Sequence, residues 1–142
     1  MKKGLISQAS ITINAPIVKV WDALVTPETI KQYMFGTDVV SDWKQGSPII
    51  WKGEYQGKKY EDKGVILKLE PKRTLQYSHF SPLSGKPDSP ENYHTVTMKL
   101  TEQDAITTLL LSQDNNSTEE SREHTAKLWQ GMLETLKKLL EK

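Results

Sequence analysis

Residues 117–142 read as one long amphipathic helix, and the rest of the chain has to accommodate it. Ser117-Thr118-Glu119-Glu120 fits the Ser-x-x-Glu capping box, in which two side chains satisfy backbone donors that the first helical turn leaves without partners. Trp129, Met132, Leu133, Leu136, Leu139 and Leu140 then recur at helical spacing. Lys137, Lys138 and Lys142 lie near the negative end of the helix dipole. About 24 residues at 1.5 Å per residue span roughly 36 Å, enough to cross a whole sheet. An apolar stripe of that length must be buried, and the preceding residues supply mainly strands to bury it against.

Those strands begin at once. Leu5, Ser7, Ala9, Ile11 and Ile13 alternate with Ile6, Gln8, Ser10, Thr12 and Asn14 at the two-residue period of a strand. Asn14-Ala15-Pro16 offers a helix start, with Asn14 as cap and Pro16 in the first turn. Val20, Trp21, Leu24 and Val25 form the apolar face of that short helix. Thr26-Pro27-Glu28 starts a second one, which stops near Gly36. From 37 to 113 strand signals dominate. Ile49, Trp51, Gly53 and Tyr55 share one phase, and Gln56-Gly57-Lys58 reads as a hairpin turn. Residues 60–70 form the next strand, ended by Pro71-Lys72-Arg73. Leu75, Tyr77 and His79 share a face, as do His94, Val96, Met98 and Leu100. Between these two strands, residues 81–90 contain three prolines and read as a long loop. Glu102-Gln103-Asp104 turns the chain into a last strand over 106–111. Strands joined in this way predict an antiparallel sheet.

The order is therefore one strand, two short helices, about six strands and one long helix, an α+β arrangement. The terminal helix covers the apolar face of the sheet, and strong curvature leaves a hollow between them for a ligand. The length suits a single domain over residues 1–142 with a core that needs no staples. The chain has no cysteine, which excludes disulfides, thiolate metal sites and cysteine nucleophiles. Its 19 basic and 18 acidic residues are spread over both halves, which argues against a nucleic-acid footprint. The charged start Met1-Lys2-Lys3 is followed by alternating residues rather than a continuous apolar run, and no run is long enough for a membrane helix. A cytoplasmic location without membrane insertion is expected. The sequons around Asn115 and Asn116 then read as turn and cap residues.

The run Ile13-Asn14-Ala15-Pro16-Ile17-Val18-Lys19-Val20-Trp21-Asp22-Ala23-Leu24 resembles the opening signature of the START-like (SRPBCC) superfamily. In particular it resembles homologues of the C-terminal domain of the activator of the 90-kDa heat-shock protein ATPase. Thr26-Pro27-Glu28, Asp42-Trp43-Lys44-Gln45-Gly46-Ser47, Lys63-Gly64-Val65-Ile66-Leu67 with Glu70-Pro71, and Trp129-x-x-x-Leu133-x-x-Leu136 follow in the same order. The resemblance covers nearly the whole chain. It implies the helix-grip fold, a curved antiparallel sheet of six or seven strands wrapped around the long C-terminal helix. It leaves function open, because this fold hosts carriers, cyclases, hydrolases and co-chaperones. The related eukaryotic activators carry a separate N-terminal domain for which 142 residues leave no room.

Three functions follow as expectations. The first is non-enzymatic binding of a small, mainly apolar ligand, with Trp51, Tyr77, His79, Met98, Trp129 and Leu133 as contacts. Met132 joins the same set, for which the alternative is ordinary core packing. In the implied fold Tyr33, Met34 and Phe35 sit near the pocket entrance as a lid, or else pack a short helix. The second is a co-chaperone-like interaction module, whose partner is a chaperone. The third is a cyclase or hydrolase that needs a polar pair in the cavity, such as His79 with Glu61. His94 shares the inward phase, whereas His124 faces solvent. The phase of Val65, Leu67 and Leu69, carried backwards, turns Glu61 and Lys63 inward; a bulge at Gly64 or a strand-end position exposes them instead, the reading adopted here. Neither a cofactor nor a metal is expected, since two strand histidines lack metal-ligand spacing.

Overall fold

The structure is a computed structural model and describes residues 4–141. Strand β1 (Leu5–Ile13) is followed by helices α1 (Ile17–Val25) and α2 (Pro27–Tyr33). Six strands come next: β2 (Asp38–Ser41), β3 (Pro48–Tyr55), β4 (Lys58–Glu70), β5 (Thr74–His79), β6 (His94–Gln103) and β7 (Ile106–Asn116). Helix α3 (Glu119–Leu140) closes the chain. The seven strands form one antiparallel sheet in the order β1-β7-β6-β5-β4-β3-β2, so only β1 leaves its sequence neighbours to cap the far edge. This is the helix-grip arrangement. Among the described residues no helix is long and apolar enough to cross a membrane.

The two tightest hairpins show why the strands pair in register. Gln56 and Gly57 both have positive φ, as do Asp104 and Ala105, the backbone twist that suits a two-residue turn between antiparallel strands. The proline-rich loop between β5 and β6 holds two single 3-10 turns, Pro82–Ser84 and Pro90–Asn92, and no longer element.

Helix α3 buries Trp129, Leu133, Leu136 and Leu140 against the sheet. Leu133 and Leu136 are almost wholly inaccessible, and each such side chain contributes about 1.5–3 kcal/mol by leaving water. A row of polar ties to the β1 edge fixes the helix lengthwise. Ser7 Oγ donates to the Arg122 carbonyl at 2.7 Å, Gln130 Nε2 to the Ser10 carbonyl at 3.1 Å and Lys137 Nζ to the Thr12 carbonyl at 2.7 Å. The Asn14 backbone N–H donates to Glu141 Oε2 at 2.7 Å. Asn116, buried at the end of β7, donates from Nδ2 to the Leu5 carbonyl and to Ser7 Oγ, joining the edge strand to the turn that launches the helix.

Three local expectations change. The cap of α3 is Thr118, whose Oγ1 accepts from the Ser121 N–H at 3.0 Å, rather than Ser117 one residue earlier. Pro16 occupies the cap position of α1 and no side chain bonds there; Asn14, expected as the cap, is bonded through its backbone N–H to Glu141. In β4 the inward residues are Tyr60, Asp62, Gly64 and Ile66, while Val65 and Leu67 are exposed. Glu61 and Lys63 do face solvent, but through unbroken alternation and not through a bulge at Gly64. The irregularity lies between Ile66 and Lys68, where Leu67 is the extra residue and Leu69 returns to the core side.

Gly64 has a steric reason of its own. A Cβ there would lie 1.7 Å from the Ser78 carbonyl oxygen, a backbone atom that cannot step aside. Gly131 in α3 has open space around it. We expect Gly64→Ala to lower stability by more than about 2 kcal/mol. Gly131→Ala should raise it by about 0.5–1 kcal/mol through helix propensity alone. Urea unfolding of both variants checks this, and a neutral Gly64→Ala would contradict the β4–β5 register.

Candidate functional site

Sheet and helix do not fill the space between them. A hollow of about 380 Å³ opens where α3 crosses the inward faces of β3, β4 and β5. Alternation brings Trp51 from β3, Tyr60 and Asp62 from β4, and Tyr77 and His79 from β5 onto one wall. Thr125, Leu128, Trp129 and Met132 of α3 form the opposite wall. Met34 and Thr37 beyond α2, Ser81 and Leu83 of the proline loop, and Gln113 of β7 complete the rim.

The aromatic wall is held by ring contacts and by its own polar ends. The Trp51 ring centroid lies 5.0 Å from that of Tyr77 and 5.0 Å from that of His79, edge-on to the imidazole. Trp129 Nε1 donates to Gln113 Oε1 at 2.8 Å, which satisfies the indole. Burial pushes the Tyr33 phenol well above its ordinary range. It does the same to Tyr77, where the neighbouring Tyr33 adds to the effect, so both hydroxyls stay neutral.

The polar end of the hollow is a carboxylate–imidazole pair. Asp62 Oδ2 lies 2.9 Å from His79 Nε2, with the two side chains only 16% and 25% exposed. Asp62 Oδ1 is buried without a hydrogen-bond partner. Nearby, Thr37 Oγ1 is 2.7 Å from Tyr60 Oη and donates to the Met34 carbonyl at 2.8 Å. His94 sits beside His79 with ring centroids 6.3 Å apart, and its Nδ1 donates to the Asp114 carbonyl at 2.9 Å. Among the described residues, no three His, Asp or Glu side chains come together in a way that could hold a metal ion.

Of the six contacts expected from sequence, Trp51, Tyr77, His79 and Trp129 border the hollow. Met98 and Leu133 do not. Met98 lies one strand further in, beneath Leu24 and Ile30 of the short helices, against a void of only about 10 Å³. Leu133 is one turn beyond Trp129 and points straight into the core. Of the expected lid, Met34 borders the hollow, Tyr33 is buried beneath it, and Phe35 has positive φ and stands exposed. Glu61 is not the partner of His79; its neighbour Asp62 is, and Lys63 pairs with Asp88 at the surface instead. Asp62 and Tyr60 were hidden by the phase of β4. Reading that strand from Ile66 rather than from Val65 would have found both.

A family model described as Activator of Hsp90 ATPase homolog 1-like protein matches residues 14–141. A solution structure of protein ChR145 from Cytophaga hutchinsonii is 60% identical, covers 99% of this chain and 97% of its own, and superimposes with a TM-score of 0.87. The solution structure of the Aha1 dimer from Colwellia psychrerythraea is 23% identical, with 96% of each chain covered and a TM-score of 0.75. CalU16 from Micromonospora echinospora is 21% identical over 96% of this chain and 83% of its own, with a TM-score of 0.74. The last two likenesses establish the fold alone. A search of curated proteins returned no match.

Burial holds the His94 imidazole below its ordinary value of 6.5, and His79 and Lys86 push the same way against the opposing pull of Asp114. The unfolded chain therefore binds this proton more readily than the folded one. The histidine does not affect stability above about pH 6.5 and lowers it as the pH falls from there towards the folded value. Thermal melts between about pH 7 and 5 should show a shallower loss in His94→Gln than in the parent protein. Identical slopes would contradict the assignment.

Proposed function

This chain belongs to the Activator of Hsp90 ATPase homolog 1-like protein family, and from that premise we propose that it binds a small, mainly apolar ligand in the hollow between sheet and α3. The observation that carries this reading is the hollow itself. Its volume of about 380 Å³ falls within the usual range for small-molecule sites. Trp51, Tyr77, Trp129, Leu128 and Met132 give it an apolar lining, and a few polar groups sit together at one end, the combination that yields both affinity and orientation. A domain built only to pack its own core would bring these walls into contact, because interiors are close-packed. Apolar burial at about 25 cal/mol per Å² would drive association.

The family's description favours a second reading, in which the chain engages a 90-kDa heat-shock protein and stimulates its ATPase. That role calls for an outer surface rather than a hollow. Stimulation of the chaperone's ATPase by the purified chain, unaffected by filling the hollow, would favour it over the ligand reading.

Native mass spectrometry of the freshly purified protein tests the ligand reading directly, and a co-purified small molecule is the expected result. Met132→Trp should fill the hollow, leave the melting temperature within a few degrees of the parent and remove the bound mass, or lower ligand affinity at least about tenfold. A variant that keeps the ligand at full occupancy would place binding elsewhere.

A further inference from the structure

We propose that the hollow is selective for an organic ammonium, an amine-bearing molecule with an apolar body, whose head is received by Asp62. The inference rests on the ligand reading above and specifies the chemistry of the ligand. It follows from counting donors and acceptors at the β4 end of the hollow. Asp62 is a carboxylate with one oxygen committed to His79 Nε2 and the other buried without a partner. A carboxylate only accepts, so the shared bond places an imidazole proton on Nε2. Thr37 Oγ1 has a single proton, and it goes to the Met34 carbonyl. Tyr60 must therefore donate to Thr37, and towards the hollow its oxygen can only accept.

Asp62 and Tyr60, both lining this end of the hollow, thus bring acceptors with no free donor between them. Asp62 and Tyr60 are two apart on the same face of β4, and His79 is bonded to Asp62 from β5. A buried, unsatisfied carboxylate oxygen costs free energy that a ligand N–H would recover. Trp51, paired with Asp62 across β3 and β4, and Tyr77 line the same wall, and aromatic rings attract cations. Among the described residues, no Lys or Arg lines the hollow to compete for Asp62 or to attract an anion. The fixed amide donor, Gln113, stands on β7, three strands away and roughly 14 Å across the sheet. This polarity orients the ligand, with its ammonium at β4 and its apolar body towards Trp129.

Three probes with one apolar body and different heads test the proposal: phenylbutylamine, phenylbutanol and phenylbutyrate. Their binding is followed by tryptophan fluorescence and titration calorimetry. The amine should bind at least about tenfold tighter than the alcohol or the acid, the scale of a charge-assisted hydrogen bond. Asp62→Asn should bring the amine down to the level of the alcohol and leave the alcohol unchanged. Glu61→Gln, one residue away on the outer face, should leave all three unchanged. The ranking on the unaltered protein stands even if Asp62→Asn fails to fold. Equal affinities, or tighter binding of the alcohol or acid, would overturn the ammonium proposal while leaving the apolar-ligand reading in place. No binding by any of the three would overturn it as well, and an empty native mass spectrum would then remove the underlying reading too.

Discussion

Burial of the apolar stripe of α3 against the sheet is the interaction on which the rest of the structure depends. A seven-stranded antiparallel sheet with one apolar face cannot stand alone in water, and α1 and α2 are too short to cover it. Leu133, Leu136 and Leu140 carry the contact, and the polar ties from Ser7, Ser10, Thr12 and Asn14 hold the helix along the β1 edge. These ties join residues more than a hundred positions apart, so the edge strand and the final helix are positioned only when the whole chain has folded.

The hollow arises from the same arrangement. Helix α3 is anchored on the β1 side, so its contact with the sheet loosens towards β4 and β3. There the inward residues are large and flat. Trp51 packs its ring against both Tyr77 and His79, and Trp129 is tied to Gln113. Rigid rings held in this way cannot collapse into the gap as flexible aliphatic chains would. A wall braced in this way would lower the ordering cost for any ligand that entered.

Much of this was legible in the chain. Alternation in β5 and β6 identified the inward residues Leu75, Tyr77, Val96 and Met98, all of which are buried. The two short helices, the hairpin at Gln56-Gly57 and the long terminal helix lie where propensity and turn chemistry put them. Strand β4 was the exception. Val65 and Leu67 are exposed, while Gly64 and Ile66 face inward, so apolar residues stand on both faces and the period alone does not say which is the core side. A one-residue slip of phase exchanges the whole set, and it put Glu61 in the place of Asp62. The bulge at Leu67 hid the slip, because it returns Leu69 to the core side and so makes the exposed Val65 and Leu67 appear to share a face with it.

Local pattern was sufficient to define which segments are strands and helices, their order and the family they resemble, since each depends on spacings of a few residues. Packing alone could decide which expected contacts reach the hollow and which, like Met98 and Leu133, are sealed in the core. It alone could bring Asp62 to His79 across two strands and leave one carboxylate oxygen unpaired. The reason is physical. Periodicity records that a residue has a face, but the pairing register, the bulge and the line of the crossing helix determine what that face meets.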